Sequence, residues 1–315
     1  MPPIVAMHIP DGLLSIPVSA VGWLLLILLL GYALRQTKTQ LGERQIPLMG
    51  VLAAFVFAAQ MINFPVAGGT SGHLLGSTLV AAFLGPWAMV VVMTSVIGVQ
   101  ALLFQDGGLL ALGFNVVNMG FMSGLVGYTV YTLLRRAGLS TLIGAGVGAW
   151  LGVVSAAAAT ALELGVSGTA SLSLALPAML GVHVLIGLGE ALITVAALAF
   201  VQQTRPDLLK QAAPAQGARW VAVGLLIALL IAFASPLASP EPDGLERVAE
   251  DQGFSEQAQD PTYTVLPDYT VPFIQNEALT TVAAGVIGVL IVAAVGYGAA
   301  RLTVKSRPAD TEPSA

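Results

Sequence analysis

VGWLLLILLLGYAL, residues 21–34, decides the class of fold. The stretch carries no charge, and with its flanks it reaches the length of about 20 apolar residues that crosses the hydrocarbon core of a bilayer. VGLLIALLIAF (223–233) has the same character. Both stretches predict membrane-spanning α-helices, and the sequence lacks the alternating short strands that a membrane β-barrel needs.

The composition extends this prediction to the whole chain. Of its 315 residues, 56% are hydrophobic and 9% are charged, whereas soluble domains carry about a quarter of charged residues. The absence of cysteine excludes disulfides and thiolate metal sites. MPPIVA (1–6) is too short and lacks the basic residues of a secretory signal, so we expect none before the first span. We therefore expect an all-α, multi-pass integral membrane protein.

Apolar runs and the Gly and Pro residues that interrupt them predict nine spans. Eleven of the 12 Lys and Arg residues fall on one side of a nine-span arrangement, and the positive-inside rule makes that side cytoplasmic. The N-terminus then lies outside and the C-terminus in the cytoplasm. The predicted spans are 17–34, 46–63, 71–84, 86–104, 109–134, 140–162, 173–203, 219–236 and 278–300.

The chain is predicted to contain two membrane domains. A cytoplasmic linker (206–218) separates a seven-span body (1–205) from a two-span appendage (219–305), and a short tail follows at 306–315. An acidic loop, 238–277, joins the last two spans on the outside. Its content of Pro, Gln, Ser and acidic residues leads us to expect that much of it is loosely ordered.

The outer loops contain two of the three histidines. If the mature chain begins at Met7, its α-amine, the His8 amide nitrogen and the His8 imidazole form two fused chelate rings in one plane. Planar nitrogen sites suit Ni(II) or Cu(II), whereas Zn(II) prefers tetrahedral sites. His73, in a glycine-rich loop on the same side, is the candidate for a fourth ligand. Either histidine alone is more simply a solvated loop residue, but their shared face and glycine neighbours favour a common site.

Each of the other polar residues has more than one interpretation. His183 and Glu190 share a face of the seventh span two turns apart, and we favour buried groups satisfied by neighbouring helices over metal ligation. Asn115 and Asn118 join membrane helices, hold a re-entrant loop, or orient a ligand histidine from behind. Asp11 follows Pro and precedes Gly, which predicts a turn; the alternative is a hydrogen bond to a ligand histidine.

Missing motifs narrow the function. No G-x-x-x-x-G-K-[ST] occurs, so the chain has no phosphate-binding loop of its own, and no H-E-x-x-H occurs either. A metal-dependent membrane enzyme remains an alternative, with only Asp11 in the loops as a general base. An ion-gradient-driven metal transporter is another, with Glu163, Glu190 and His183 as its intramembrane candidates. We expect no nucleic-acid partner.

Four motifs in order then suggest a family. MHIPDGLLS (7–15), GTSGHLLG (69–76), FNVVNMG (114–120) and HVLIGLGEALIT (183–194) resemble the CbiM/NikM family. Its members are the substrate-binding membrane (S) components of energy-coupling-factor cobalt/nickel importers. SPEPDGLERVAED (239–251) is similar to the PDGLE domain (NikN/CbiN-like) that is often fused to this family. The motif itself comprises Pro242, Asp243, Gly244, Leu245 and Glu246.

The resemblance implies a transporter subunit without enzymatic activity in the cell's inner (cytoplasmic) membrane. It implies Ni(II) or Co(II) as the transported substrate, bound by the Met7 amine, His8 and His73. It implies a membrane coupling (T) subunit and two cytoplasmic ATPase subunits as partners, besides the lipid bilayer. Residues 1–6 would hold the amine away from the site, so we expect Met7 to be the mature start. A deprotonated amide in a planar set favours nickel, and cobalt stays open. We expect the 238–277 loop to contact the N-terminal region and help load the metal.

Overall fold

The chain folds into a bundle of long apolar helices. The computed structural model describes residues 8–43, 45–209 and 219–303. Within them, five helices are long and apolar enough to cross a membrane, judged by length and composition. These are Ile16–Gln40, Pro86–Phe104, Thr141–Ser167, Leu172–Thr204 and Glu277–Thr303, and two shorter apolar helices, Gln45–Gln60 and Arg219–Phe233, accompany them.

The elements follow one another with short connections. A two-stranded antiparallel hairpin comprises β1 (Phe64–Val66) and β2 (Thr70–Gly72). Two π-helical segments, Gln100–Phe104 and Val116–Met122, continue neighbouring α-helices. The α-helices are α1 (Ile16–Gln40), α2 (Gln45–Gln60), α3 (Ser77–Leu84), α4 (Pro86–Val99), α5 (Leu112–Asn115), α6 (Ser123–Arg136), α7 (Thr141–Ser167), α8 (Leu172–Thr204), α9 (Arg219–Phe233), α10 (Gly244–Gln252) and α11 (Glu277–Thr303).

The third predicted span, 71–84, is helical only in its second half. Its first residues belong to the hairpin, in which Gly72 pairs with Phe64. Gly76, with a φ of 80°, then turns the chain into α3. The eight residues of α3 rise about 12 Å, against roughly 30 Å for a hydrocarbon core. The prediction of a helix from residue 71 is therefore wrong, because those backbone groups pair with β1 instead. Each of the other predicted spans coincides with helical segments, although α1 continues to Gln40 and α7 to Ser167, past the predicted ends at 34 and 162.

Glycines bring the appendage against the body. α2 is buried on nearly every side, between α4, α9 and α11. A Cβ on Gly50 of α2 would lie 2.9 Å from the Ala293 carbonyl oxygen of α11, and one on Gly288 would collide with the Phe57 ring. Only a residue without a side chain allows the two helices to approach this closely. The two predicted domains are thus packed together through α2 and α11.

The connections at one end of the bundle pack against one another. The backbone N–H of Gln259 donates to the Asp11 carbonyl (2.7 Å), and that of Ser239 donates to the Asn63 carbonyl (2.8 Å). The loops of the appendage therefore cover those of the body. We call this region the loop end, and it comprises segments 8–15, 61–76, 105–111 and 234–276.

The 238–277 loop has defined structure, contrary to the prediction of loose order. It contains α10 and two short 3-10 turns, Ser255–Gln257 and Pro267–Tyr269. Leu245, Phe254 and Tyr269 are buried against the body. The acidic composition was misleading because the charged side chains lie mostly on the surface while a few apolar anchors fix the segment. The predicted contact between this loop and the N-terminal region is present, since Gln259 bonds to Asp11.

Candidate metal centre

His8 and His73 lie side by side at the loop end. Their ring centroids are 5.8 Å apart, at an interplanar angle of 61°. Both are buried, with exposed fractions of 2% and 8%. They line a cavity of about 70 Å³ whose wall also includes Asn115, Asn118, His183 and Asp243. The structure thus brings together the two histidines that the sequence proposed as partners.

The segment that follows His8 is clamped by Asn115. The Asn115 side chain accepts from the Ile9 N–H (3.0 Å) and donates to the Ile9 carbonyl (3.0 Å). The N–H of Gly108 donates to the same carbonyl (2.9 Å). These bonds satisfy the backbone of a buried residue, and they fix the position of His8 from its C-terminal side.

Asp11 supports the loop rather than a histidine. Its carboxylate accepts from the backbone N–H groups of Leu109 (3.1 Å), Leu110 (2.8 Å) and Ala111 (3.1 Å). Gly12 follows with a φ of 93°, a conformation that favours glycine. Of the two roles considered for Asp11, the structural one fits these contacts. They join the N-terminal segment to the turn before α5.

The carboxylate beside His8 is Asp106. Its Oδ1 lies 2.8 Å from His8 Nδ1, and its Oδ2 accepts from the Tyr269 hydroxyl (2.6 Å). Burial alone would raise the pKa of Asp106, but His8 and the two hydrogen bonds outweigh it and hold this pKa below its usual value. Asp106 is therefore ionised and accepts from both neighbours. His8 Nε2 is buried and has no hydrogen-bond partner within the described part of the chain.

Neither Asp106 nor Tyr269 was among the predicted site residues. One signal in the sequence was available, because Asp106 is one of only five acids in residues 1–205 and follows directly on an apolar run in FQDGG. An acid at the end of a predicted span, beside glycines, marks a candidate loop site. Nothing local distinguished Tyr269 from other residues of its loop.

The loop that carries His73 is held by Glu190. The carboxylate of Glu190, on α8, accepts from the N–H groups of Leu75 (2.6 Å) and Gly76 (2.9 Å). The Nδ1 of His73 lies 3.1 Å from the Leu74 carbonyl oxygen. Glu190 is thus satisfied by loop backbone, where the prediction favoured neighbouring helices. Its role is to fix the path of the chain just after the histidine.

His183 and Asn118 line the cavity but are engaged elsewhere. His183 Nδ1 lies 2.8 Å from the Met179 carbonyl oxygen of its own helix. The amide of Asn118 donates to Glu163 (2.8 Å) and to Thr160 (3.2 Å), both on α7. Asn115 and Asn118 therefore have different roles. Asn115 supports the His8 segment, and Asn118 joins two helices.

The PDGLE motif forms the helix start that closes the cavity. Asp243 accepts from the N–H groups of Leu245 and Glu246 (both 2.8 Å), and Glu246 accepts from the Asp243 N–H (2.9 Å). This reciprocal pair is a capping box. A Cβ on Gly244 would lie 2.6 Å from His183 Cε1, so glycine lets α10 approach α8. The carbonyl of Pro242 accepts from the Ser71 N–H (2.8 Å), which places the motif next to the His73 hairpin.

Burial changes the acidity of the cap. It raises the pKa of Asp243 and of Glu246 well above the ordinary values of 3.8 and 4.5. The charge of Asp243 raises the pKa of Glu246 further, and the charge of Asp106 raises both pKa values. Both groups thus titrate at a higher pH than exposed carboxyl groups.

The groups available as ligands determine which metal coordination geometries the site can provide. Among the described residues, no group of three or more His, Cys, Asp or Glu side chains is placed to hold a metal ion. Two imidazoles alone do not complete a planar or tetrahedral set. The Met7 amine, which the sequence proposed, lies outside the described residues.

Comparisons with known proteins cover both parts of the chain. The family model described as cobalt uptake substrate-specific transmembrane region matches residues 8–208, and the PDGLE domain matches residues 218–305. A protein of Archaeoglobus fulgidus assigned as a fused nickel transport protein, NikMN, is 38% identical over 94% of this chain and 98% of its own. The fused nickel transport protein NikMN of Rhodobacter capsulatus is 32% identical over 93% and 97%.

Relatives without the appendage match the body. The cobalt transport protein CbiM of Sorangium cellulosum is 34% identical over 64% of this chain and 94% of its own. A crystal structure of a truncated transition metal transporter is 36% identical, with a TM-score of 0.59 over 62% of this chain and 99% of the other.

Proposed function

Because the chain belongs to the family of cobalt uptake substrate-specific transmembrane regions, here fused to a PDGLE domain, we propose that it captures Ni(II) or Co(II) on the extracytoplasmic side of the cytoplasmic membrane. Its relatives are nickel and cobalt transport proteins, and it is a membrane protein of the same kind. The observation that best supports the proposal is that His8 and His73 lie side by side in one buried cavity.

The proposed ligands are the Met7 amine, the His8 amide and imidazole, and the His73 imidazole. All four donors are nitrogens, and the amide donor requires deprotonation, which favours nickel over cobalt. The absence of a three-residue side-chain cluster within the described ranges supports this set, because half of its donors come from backbone. Met7 is proposed as the mature first residue.

The first test combines intact mass with metal titration. The mass of the protein from its native membranes identifies its first residue, and Ni(II) is then titrated into the purified protein in nanodiscs. We expect a chain that begins at Met7, and a loss of nickel affinity of at least 100-fold in His73→Ala. His183→Ala is the matched control, because His183 lines the same cavity but bonds to its own helix. A chain that begins at Met1, or equal losses in the two variants, would refute the ligand set.

Transport is proposed to depend on partners that supply energy. The chain has no phosphate-binding loop, so we propose a membrane coupling subunit and two cytoplasmic ATPases, as in energy-coupling-factor importers. Nickel uptake in cells should then stop on ATP depletion and persist with an uncoupler while ATP is maintained. The opposite pattern would favour an ion-gradient-driven transporter.

The 238–277 loop is proposed to assist metal loading. Its PDGLE motif closes the cavity beside the His73 hairpin, and its Gln259 bonds to the N-terminal segment. We expect deletion of 238–277 to abolish uptake while the remaining protein still reaches the membrane. Normal uptake by the deletion variant would exclude this role.

A further inference from the structure

Two hydrogen bonds join the appendage to the candidate ligand His8. The Tyr269 hydroxyl donates to Asp106 Oδ2 (2.6 Å), and Asp106 Oδ1 lies 2.8 Å from His8 Nδ1. All three side chains are buried, with exposed fractions of 8%, 3% and 2% in that order. In such surroundings hydrogen bonds to a charged carboxylate are strong and directional.

The place of Tyr269 is specified by several contacts. Its ring stacks on Phe104, with centroids 4.7 Å apart and an interplanar angle of 15°. Gln100 Nε2 lies 3.3 Å from its hydroxyl. Asp268 and Tyr269 adopt φ values of 48° and 55°, although neither is glycine. A non-glycine residue in this left-handed region is strained, and it persists only where its surroundings enforce it. The loop is thus bent to deliver this hydroxyl to Asp106.

A carboxylate behind a histidine is what a metal ligand requires. Metal-binding imidazoles almost always donate their other ring N–H to a carboxylate or carbonyl, which fixes the ring and makes it a better donor. In this structure the carboxylate bonded to the His8 ring is Asp106, and the bond is to Nδ1. The partner of Asp106 on its other oxygen comes from the appendage, more than 160 residues away in the chain.

In the proposed chelate His8 binds the metal through Nδ1, the ring nitrogen that faces Asp106 in this structure. Only Nδ1 can close a ring with the amide of its own residue, because Nε2 lies on the far side of the imidazole. A half-turn about the Cβ–Cγ bond moves Nδ1 away from Asp106 and brings Nε2 to the side where Cε1 now lies, which is the side of Asp106. The half-turn alone does not aim the Nε2–H at the oxygen, so a hydrogen bond from Nε2 to the same carboxylate requires a further shift of the ring during capture. With that shift, Asp106 holds His8 through Nδ1 before capture and through Nε2 after capture.

We propose that Asp106 and Tyr269 are positioning residues for His8, through which the docked 238–277 loop sets the orientation of the ligand imidazole. This inference rests on the proposed function, since it assumes that His8 binds the metal. Metal affinity and docking of the loop are then coupled, and each strengthens the other by the same factor.

Nickel titration of matched tyrosine variants tests the proposal. Tyr269→Phe removes the hydroxyl and keeps the stacked ring. Tyr263→Phe is the control, because Tyr263 lies in the same loop and donates to the carbonyls of Ala101 (3.2 Å) and Leu102 (3.1 Å) rather than to Asp106. Ni(II) is titrated by calorimetry into the full chain in nanodiscs, and the circular dichroism of the nickel d–d bands is recorded at saturation.

We expect Tyr269→Phe to weaken nickel binding about tenfold and Asp106→Asn by about 10- to 100-fold, the range found for residues behind metal ligands. The double variant should bind no more weakly than Asp106→Asn, because both residues act through one chain of bonds. Tyr269→Phe should change the d–d dichroism, which a general loss of packing would not do. Tyr263→Phe should match the wild type in both measurements.

The outcomes separate the two hypotheses. A wild-type chain that binds no nickel refutes the proposed function, and the inference with it. A wild type that binds nickel, with Tyr269→Phe equal to wild type or to Tyr263→Phe, refutes the inference alone. Additive losses in the double variant also refute it. If Asp106→Asn does not fold, the comparison of the two tyrosine variants still decides.

Discussion

Asn115 uses both ends of its amide on a single residue, Ile9, which follows the candidate ligand His8. Asn115→Ala leaves the buried Ile9 N–H without this acceptor, at a cost of about 1–3 kcal/mol. We expect nickel affinity to fall about tenfold, because the metal must then order the segment itself. Asn118→Ala, which breaks bonds between helices instead, should lower thermal stability with a smaller effect on affinity. Equal affinity losses in the two variants, measured by Ni(II) titration, would contradict this assignment.

At the level of single residues, the sequence put His8 and His73 forward as one candidate site, because histidine is rare in the chain and both lie beside glycines in predicted outer loops. It also named Asn115 as a possible support of a ligand histidine, and the bonds of Asn115 to Ile9 fit such a role. For Asp106 the sequence offered one local signal, an acid beside glycines at the end of a predicted span, and for Tyr269 it offered none. Neither the contact of Asp106 with His8 nor that of Tyr269 with Asp106 could be predicted, because they join residues 98 and 163 positions apart. Such pairs depend on tertiary packing, which no local pattern encodes. The roles of Asp11 and Glu190 as acceptors for loop N–H groups likewise became visible only with the fold.

Among the elements, α10 depends on the small size of Gly244. In Gly244→Ala the new Cβ would lie 2.6 Å from His183 Cε1 and 2.8 Å from Ile186 Cδ1. We expect α10 to lose about 1–3 kcal/mol of docking free energy, seen as faster hydrogen exchange of amides 244–252. Gly181→Ala is the control, since its Cβ would meet no atom within 4 Å among the described residues. Unchanged exchange in Gly244→Ala would show that α10 is not seated on α8.

The cap of α10 also predicts a pH dependence. The docked state raises the pKa of Asp243 and Glu246 above 3.8 and 4.5, chiefly through burial. Docking is therefore most stable below those ordinary values and weakens as pH rises toward the raised ones. Exchange protection of α10, corrected for intrinsic rates, should be greater at pH 5 than at pH 8. Glu246→Gln should flatten the change, whereas protection that increases with pH would contradict the sign.

The loop that contains α10 shows where the composition led to a wrong prediction. The 238–277 loop is acidic and rich in Pro, Gln and Ser, which is typical of disorder, yet its capping box and buried aromatic residues fix it to the body. The motif PDGLE contains both halves of that box, Asp243 and Glu246, at the required spacing. The start of α10 could thus have been predicted from the sequence. Its docking site could not, because α8 and the His73 hairpin are distant in the chain.

Across the whole molecule, body and appendage behave as one unit through α2 and α11. A Cβ on Gly288 would collide with the Phe57 ring, and Gly288→Val adds two methyl groups to it, whereas a Cβ on Gly298 of the same helix would meet no atom within 4 Å among the described residues. Overpacking costs about 1–3 kcal/mol, so Gly288→Val should lower Tm by about 3–10 °C. Gly298→Val should change Tm much less. Two separate thermal transitions in the wild type would argue against a single unit.

The membrane topology can be tested without background, because the chain has no cysteine. Glu256 in the 238–277 loop and Arg136 at the end of α6 are both exposed. We expect Glu256→Cys to react with an impermeant maleimide in intact cells, and Arg136→Cys to react only after permeabilisation. The reverse labelling would invert the proposed orientation, and labelling of both from outside would overturn the span count.

Glu190 has a kinetic consequence. It ties the backbone just after His73 to the middle of α8, so the histidine cannot swing aside as part of a free loop. A captured ion would then leave only when α8 itself shifts against the rest of the bundle, or when several bonds at the loop end break together. Such concerted movements are slow compared with the fluctuations of a surface loop. If the site captures metal as proposed, the dwell time of the ion would depend on the rigidity of the helices, and selectivity would appear in dissociation rates more than in association rates.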